Sequence, residues 1–175
     1  AFGALRGSEL VGDLDLDHIA SGAPIPNSPS PFPSAPFTVA VNATLGIGPG
    51  TRLATLGRLI HSLSLYGAVE GLHLGAQVHL IGDLRPDRQC KALAQRKITH
   101  LYATPAQLRL IHGHDSLPDL RLILVGGSKL DPALRADLES LAPNAQLREF
   151  YGAAETSFIT IADETMPEAS VGRRY

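Results

Sequence analysis

Tyr151, Gly152 and Glu155 lie in the stretch FYGAAETS, which combines an aromatic ring, a glycine turn and a carboxylate. A planar base needs flat aromatic contact, and a glycine lets a ligand approach the backbone closely. A hard cation such as Mg²⁺ is commonly held by one or two carboxylates together with phosphate oxygens and water. The stretch is therefore a candidate nucleotide and metal site, and the alternative is a strand end that carries an exposed glutamate.

A second glycine turn, Gly126-Gly127-Ser128, follows the apolar run LRLILV. Glycine turns after strands are common, so neither turn identifies a nucleotide site by spacing alone. A third glycine run, GIGPG at residues 46–50, precedes a charged strand candidate instead of opening a helix, which disfavours a dinucleotide-binding fingerprint.

The elements that would position these turns alternate between short apolar runs and helical patterns. They are, in order, AQVHLIG, PDRQCKALAQRK, ITHLYAT, PAQLRLIHG, LRLILVGG, DPALRADLESLA and QLREFYG. This order predicts an α/β fold of alternating β-α units, with a largely parallel sheet flanked by helices. Pro86, Pro105 and the pair Asp131-Pro132 open the helices, and QLREFYG alternates as a strand near an edge or a cleft. The carboxyl ends of parallel strands share one edge, so YATPAQ, GGSKL and YGAAETS should line it together.

Composition bounds the remaining possibilities. Lys plus Arg total 15 against 17 for Asp plus Glu, so no nucleic-acid partner is indicated. No apolar run is long enough to span a membrane, and the first residues lack a signal-peptide pattern, so a cytoplasmic location is expected.

Prolines in GAPIPNSPSPFPSAP separate an N-terminal piece and connector, residues 1–36, from a body at 37–175.

Three further side chains are of types that can react or bind a metal ion. Cys90 can form no internal disulfide and lies in an amphipathic helical pattern, so we expect a thiol on a helix face or in the core. His112 and His114 could face one ion from an extended loop, but two histidines fall short of a usual ligand set, and solvated loop histidines are favoured.

The ordered motifs resemble the acyl-adenylate-forming enzymes, the superfamily of acyl-CoA synthetases, peptide-synthetase adenylation domains and luciferases. The similar features are LIHSLSLYGAVEGLHLGAQVHL, ITHLYATPAQLRLI, the GGS turn, the YGAAE turn and a closing SVGRRY. The resemblance implies the N-terminal domain of such an enzyme, here partial. It also implies that ATP and a carboxylic acid give an acyl-adenylate and pyrophosphate, after which a thiol such as coenzyme A takes the acyl group.

Residue roles follow from the resemblance. Gly126, Gly127 and Ser128 would pack along the adenine and acyl pocket, and Tyr151 would stack on adenine. Gly152 would allow close approach of ATP or AMP, and Ala153 and Ala154 would belong to the same nucleotide-binding turn. Glu155 would hold Mg²⁺ bridging the ATP phosphates. His61 would lie near the carboxylate substrate, and its alternative is a helix-start histidine satisfied by a backbone partner.

The sequence also departs from this superfamily. Ala154 stands where many relatives have threonine, and the phosphate loop is replaced by SGAPIPNSPSP, in which only Ser21 and Gly22 match and the lysine is absent. Its prolines withdraw amide donors that an anion-binding loop requires. Two readings follow: a fragment or shortened acyl-CoA synthetase, inactive by itself, or a non-catalytic nucleotide- and acyl-binding or assembly module. The sequence leaves the oligomeric state open: hydrophobic surface exposed by missing regions could drive self-association, or another chain could complete the fold.

Overall fold

The computed structural model describes residues 45–111, 116–153, 157–163, 165–167 and 170–174. These residues form seven strands and four helices. They are β1 Arg52–Thr55, α1 Ser62–His73, β2 Gln77–Leu80, α2 Pro86–Gln95, β3 His100–Ala103, α3 Pro105–Ile111, β4 Leu122–Val125, α4 Pro132–Leu141, β5 Gln146–Ala153, β6 Ser157–Ala162 and β7 Arg173–Arg174. The predicted alternation is confirmed from β2 to β5, and two further strands follow β5 without a helix between them. The N-terminal piece and connector, including Ser21 and Gly22, lie outside the described residues.

The strands form one sheet in the order β2-β1-β3-β4-β5-β6-β7. Strands β1 to β5 run parallel, whereas β6 and β7 are antiparallel additions after β5. The predicted α/β fold with a largely parallel sheet is therefore confirmed. Of the two positions expected for QLREFYG, the edge is wrong, because β5 pairs with β4 on one side and β6 on the other, and the position beside a cleft stays a prediction. Leu147 and Glu149 are buried, whereas Gln146 is exposed and Arg148 is half-buried, so the alternating pattern reflects the two faces of the strand.

Capping residues or prolines mark the starts of α2, α3 and α4. Asp131 precedes α4, and its carboxylate accepts a hydrogen bond from the amide of Leu134 at 3.0 Å. Proline opens α2, α3 and α4, at the first turn where the missing amide has no intrahelical partner. The predicted helix starts are confirmed at all three positions.

Two apolar layers cover the sheet. On one face, the larger cluster joins α2, α3 and α4 to alternate residues of the strands, such as Leu101 and Ile123. On the other face, α1 packs over β1, β2 and β3, with Leu53 and Tyr102 fully buried there. Each such side chain contributes about 1.5 to 3 kcal/mol relative to exposure. Every residue of β3 and β4 is buried, as expected for strands covered on both faces.

Candidate functional site

The carboxyl ends of the central strands meet at one edge of the sheet. Ala103 pairs with Val125, and Val125 pairs with Glu149, so the segments that follow β3 and β4 lie beside the second half of β5. The loop after β1 reaches the same edge, since Leu56 donates its amide to the carbonyl of Tyr102 at 3.2 Å. The structure thus brings together the described parts of the three loops singled out in the sequence.

Gly126 is buried, and its lack of a side chain leaves space that the Phe150 ring fills. A Cβ atom on Gly126 would overlap the ring of Phe150, so the ring packs directly over this backbone. Gly127 has a φ of +92°, a conformation that glycine adopts at little cost, and a Cβ there would lie 3.3 Å from Thr104 Cγ2. Gly127 and Ser128 are exposed, so they are the part of the GGS turn that a ligand can reach.

Tyr151 presents its ring to solvent on the neighbouring strand, with 54% of its surface exposed. Phe150 faces the opposite way and joins the apolar layer under α1. The register between β5 and β6 shifts between Tyr151 and Gly152, so the strand is irregular where the predicted turn begins. Ala153 ends β5, whereas Ala154 and Glu155 lie outside the described residues, and the predicted magnesium role of Glu155 stays a prediction.

His61 caps α1 at the same end of the molecule. It is exposed, has extended backbone angles, and makes no side-chain capping hydrogen bond to the helix. The start of α1 is held by the backbone, because the His61 carbonyl accepts hydrogen bonds from the amides of Ser64 and Leu65, each at 3.0 Å. The imidazole is therefore accessible, although its predicted position near a carboxylate substrate remains a prediction.

A pair of reciprocal hydrogen bonds fixes the loop between β3 and α3. The Thr104 amide donates to Gln107 Oε1 at 2.9 Å, and the Gln107 amide donates to Thr104 Oγ1 at 3.3 Å. This is a capping box, which satisfies amides that the first helical turn leaves without partners. The pattern T-x-x-Q was readable in ATPAQ, but the sequence analysis did not use it.

A cluster of charges supports the GGSKL segment from behind. The buried Glu149 carboxylate accepts from Arg135 Nη2 at 2.6 Å and from the Leu130 amide at 3.0 Å, with Lys129 Nζ at 3.5 Å. These residues line a surface cavity of about 260 Å³ together with Asp163 and Met166. The sequence analysis missed this cluster, because the three charges are brought together only by the packing of α4 on β5.

A second buried carboxyl lies under α1. Glu70 is 5% exposed, and its Oε2 accepts a hydrogen bond from the Tyr102 hydroxyl at 3.2 Å. Burial raises the pKa of Glu70 from 4.5 to about 7, and the hydrogen bond from Tyr102 opposes this rise. Neither Glu70 nor Tyr102 was predicted as a site residue. The only sequence signal for this buried pair is a charged residue in the otherwise mostly apolar helix sequence YGAVEGLH.

The other residues that the sequence suggested for chemistry are Cys90, His112 and His114. Cys90 is buried in α2, which confirms the expected structural thiol. His112 and His114 lie outside the described residues. Among the residues that the structure describes, no group of three or more His, Cys, Asp or Glu side chains is arranged to hold a metal ion. In the same part of the chain, no helix has the length and apolarity needed to cross a membrane.

Solved structures of known proteins share this fold. CmiS6 is 26% identical with a TM-score of 0.66, over 73% of this chain and 32% of that one. The nonribosomal peptide synthetase FmoA3, solved in an AMPPNP-bound form, is 22% identical with a TM-score of 0.70, over 79% of this chain and 16% of that one. At the latter identity the likeness shows the fold alone.

Known proteins match over about two thirds of this chain. An uncharacterised acyl-CoA ligase of Bacillus subtilis, YhfT, is 30% identical over 123 residues, which cover 68% of this chain and 26% of the relative. The putative long chain fatty acid-CoA ligase VraA of Staphylococcus haemolyticus is 33% identical over 128 residues, covering 70% and 27%. The chain thus spans about a quarter of the length of these relatives. The family described as AMP-binding enzyme matches residues 35–174, so the resemblance seen in the sequence is confirmed and the chain belongs to that family.

Proposed function

We propose that this chain carries the base-binding and part of the acyl-binding surface of an acyl-CoA synthetase-type enzyme. The observation that carries the proposal is the exposed Tyr151 ring beside the exposed Gly127 and Ser128, in a chain of the AMP-binding family. A flat base can contact the ring on one side and the glycine backbone on the other.

Different residues would contact the base of ATP, its phosphates with Mg²⁺, and the carboxylic acid. Tyr151 and the accessible GGS backbone suit a planar base, whereas Gly126 serves internal packing because Phe150 occupies the space beside it. Mg²⁺ would be held by Glu155 and phosphate oxygens, and it would neutralise phosphate charge during transfer. His61, exposed at the start of α1, would lie toward the carboxylic acid.

In the complete enzyme, a substrate carboxylate oxygen attacks the α-phosphorus of ATP and pyrophosphate leaves, which gives an acyl-adenylate. A thiol such as coenzyme A then attacks the acyl carbon, and AMP leaves with the electrons of the broken bond. For the chain itself we propose binding without turnover, since stabilising the phosphoryl transition state needs several donors and cations. SGAPIPNSPSP lacks the lysine and lies before the matched residues 35–174.

Calorimetric titration tests the binding claim. ATP, AMP and a non-hydrolysable acyl-adenylate mimic should bind, and Tyr151→Ala should weaken AMP binding by about tenfold, because base stacking on an aromatic ring contributes about 1 to 3 kcal/mol. Leu110→Ala is the matched control, since Leu110 is 59% exposed on α3. No heat with any of the three ligands would reject a nucleotide site in this chain.

Pyrophosphate exchange separates the two forms of the proposal. With ATP, Mg²⁺ and a panel of carboxylic acids, the 175-residue chain should give no exchange above a protein-free control. Robust exchange would overturn the binding-only assignment and would make the chain a catalyst by itself.

A further inference from the structure

Helix α1 contacts the sheet through two glycines. A Cβ atom on Gly67 would lie 2.8 Å from Tyr102 Cδ1, and one on Gly71 would lie 2.7 Å from Val78 Cγ2. Both distances are too short for real side chains, so the glycines let the helix backbone approach β3 and β2 closely. This contact therefore has no room for an added methyl group.

The intrinsic stability of α1 is low. Its interior contains both glycines, which lose more backbone freedom than alanine on entering a helix. Its N-cap residue, His61, makes no side-chain capping hydrogen bond. Helix α4, in contrast, contains no glycine and is capped by the Asp131 carboxylate. Helix α1 is therefore held mainly by its packing on β1, β2 and β3.

A carboxyl group is buried inside this contact. Glu70 is 5% exposed, and the fully buried Tyr102 donates its hydroxyl to Glu70 Oε2 at 3.2 Å. Within the described part of the chain, this is the one hydrogen bond that reaches the carboxyl. A single hydroxyl does not replace the water around an ionised carboxylate. Burial accordingly raises the pKa of Glu70 from 4.5 to about 7, and the hydrogen bond from Tyr102 opposes this rise.

The second titratable side chain that β3 turns toward α1 is His100. It lies two residues before Tyr102, so it points to the same side of the sheet, and it is buried. Burial lowers the pKa of His100, and its hydrogen bond to the Leu45 carbonyl opposes this change. His100 is therefore neutral near pH 7 and does not stabilise an ionised Glu70.

The other titratable groups nearby do not compensate the charge either. On β1 and β2, Arg52 and His79 alternate with residues of the layer under α1, so they face the opposite side of the sheet. On α1 itself, the other titratable side chains are His61 at the cap, Tyr66 and His73. None of the ion pairs among the described residues includes Glu70. Within this part of the chain, an ionised Glu70 has no counter-ion.

Ionisation of Glu70 favours a helix that has moved away from the sheet. Once α1 separates from Tyr102, water solvates the carboxylate, and the pKa of Glu70 returns toward 4.5. Below pH 4.5 both states carry the proton, so the packed helix has its full stability. From pH 4.5 to about 7 the released helix gains, and above about 7 the equilibrium levels off because the packed state is ionised as well. The whole change amounts to about 300-fold in the equilibrium between the two states.

We propose that Glu70 and Tyr102 form a pH-sensitive latch between α1 and the sheet. The neutral carboxyl holds the helix on β3. Its ionisation, with the proton passing to solvent, releases the helix while the other elements stay folded. His61 precedes α1 at the carboxyl edge of the sheet, so release also moves the start of the helix there. The latch follows from burial and packing and does not depend on the proposed nucleotide binding.

Hydrogen–deuterium exchange of the full chain, read by mass spectrometry and corrected for the intrinsic pH dependence of exchange, tests the latch. From pH 5 to pH 8 the opening of α1 should increase by roughly 50-fold to 100-fold. Glu70→Gln should remove this dependence, whereas Glu139→Gln, at an exposed position on α4, should keep it. A pH-independent opening of α1, or an equal dependence in Glu70→Gln, would overturn the proposal.

Exchange in low concentrations of urea distinguishes release of α1 from unfolding of the whole chain. Release exposes little surface, so at pH 8 the opening of α1 should depend weakly on urea. The opening of α4 should follow the steep urea dependence of global unfolding. The same steep dependence in both helices would show that Glu70 acts on global stability alone, which contradicts the latch.

The variant Tyr102→Phe keeps the test decisive if Glu70→Gln does not fold. The hydroxyl of Tyr102 lowers the pKa of Glu70, so its removal should raise that pKa further. The opening of α1 should then go on rising above pH 7, where the unsubstituted chain levels off. A purely structural role of Tyr102 would change the extent of opening but not the pH at which it levels off, and that result would overturn the latch.

Discussion

The two edges of the parallel strands differ in how closely their residues pack and in whether their charges form ion pairs. At the carboxyl edge, loops are locked by glycine contacts, a capping box and ion pairs that converge on Glu149. At the amino edge, Arg52, Arg96, Lys97 and Arg121 stay outside the ion pairs of the described residues. A binding site needs donors and rings that are held in place. Fixed contacts are therefore concentrated at the edge where nucleotide binding is proposed.

The largest expected effect comes from filling the close contact at the carboxyl edge. Gly126→Ala should destabilise the chain by about 3 kcal/mol, because a methyl group would force the Phe150 ring or the backbone to shift. Urea denaturation followed by circular dichroism measures the change. Gly48→Ala is the matched control, since nothing lies within 4 Å of a Cβ at that position. Equal stability of the two variants would contradict the tight packing described at this edge.

A pH-dependent effect is expected at Glu70, between the two edges. Its raised pKa means that the folded state favours the neutral carboxyl, so this group stabilises the fold below pH 4.5 and the stabilisation is lost as the pH rises toward 7. Glu70→Gln should remove about 2 to 3 kcal/mol of the stability decrease between pH 5 and pH 8. Thermal unfolding of both proteins across this range measures it. Parallel pH curves would show that Glu70 does not titrate in this window.

A moderate effect is expected from removing the charge behind the GGSKL segment. Glu149→Gln should cost about 2 kcal/mol, because it leaves the guanidinium of Arg135 without its carboxylate partner in a partly buried site. Asp83→Asn breaks the exposed Arg58–Asp83 pair and should cost about 0.5 kcal/mol or less. Similar losses in both variants, measured by urea denaturation, would remove the distinction between the buried and exposed pairs.

The smallest effect is expected at the amino edge. Arg52→Gln/Arg121→Gln should change the free energy of unfolding by no more than about 0.5 kcal/mol, since both side chains are exposed. Nucleotide titration should be equally unaffected. A loss of several kcal/mol would show that these arginines support the sheet itself.

The sequence was sufficient to predict the alternation of elements and most helix starts. The spacing of apolar residues and the positions of prolines are local signals. Pro86, Pro105 and Asp131 each favour a helix start within the first helical turn that they belong to or precede. Sequence also placed the GGS turn and Tyr151 at one edge, because the geometry of parallel strands requires it. The edge position considered for β5 was wrong, since pairing with a later antiparallel strand leaves no local signal distinct from an edge.

What the sequence by itself determined was the class of fold, the superfamily and the set of candidate side chains, because motifs and periodicity are properties of neighbouring residues. Only the tertiary structure decided which glycine is packed and which is accessible, and that Glu149, Arg135 and Lys129 form one cluster. It alone also placed Glu70 against Tyr102 and gathered four cations at the amino edge. These outcomes depend on contacts between residues far apart in the chain, and burial and pairing energies exist only once those contacts form.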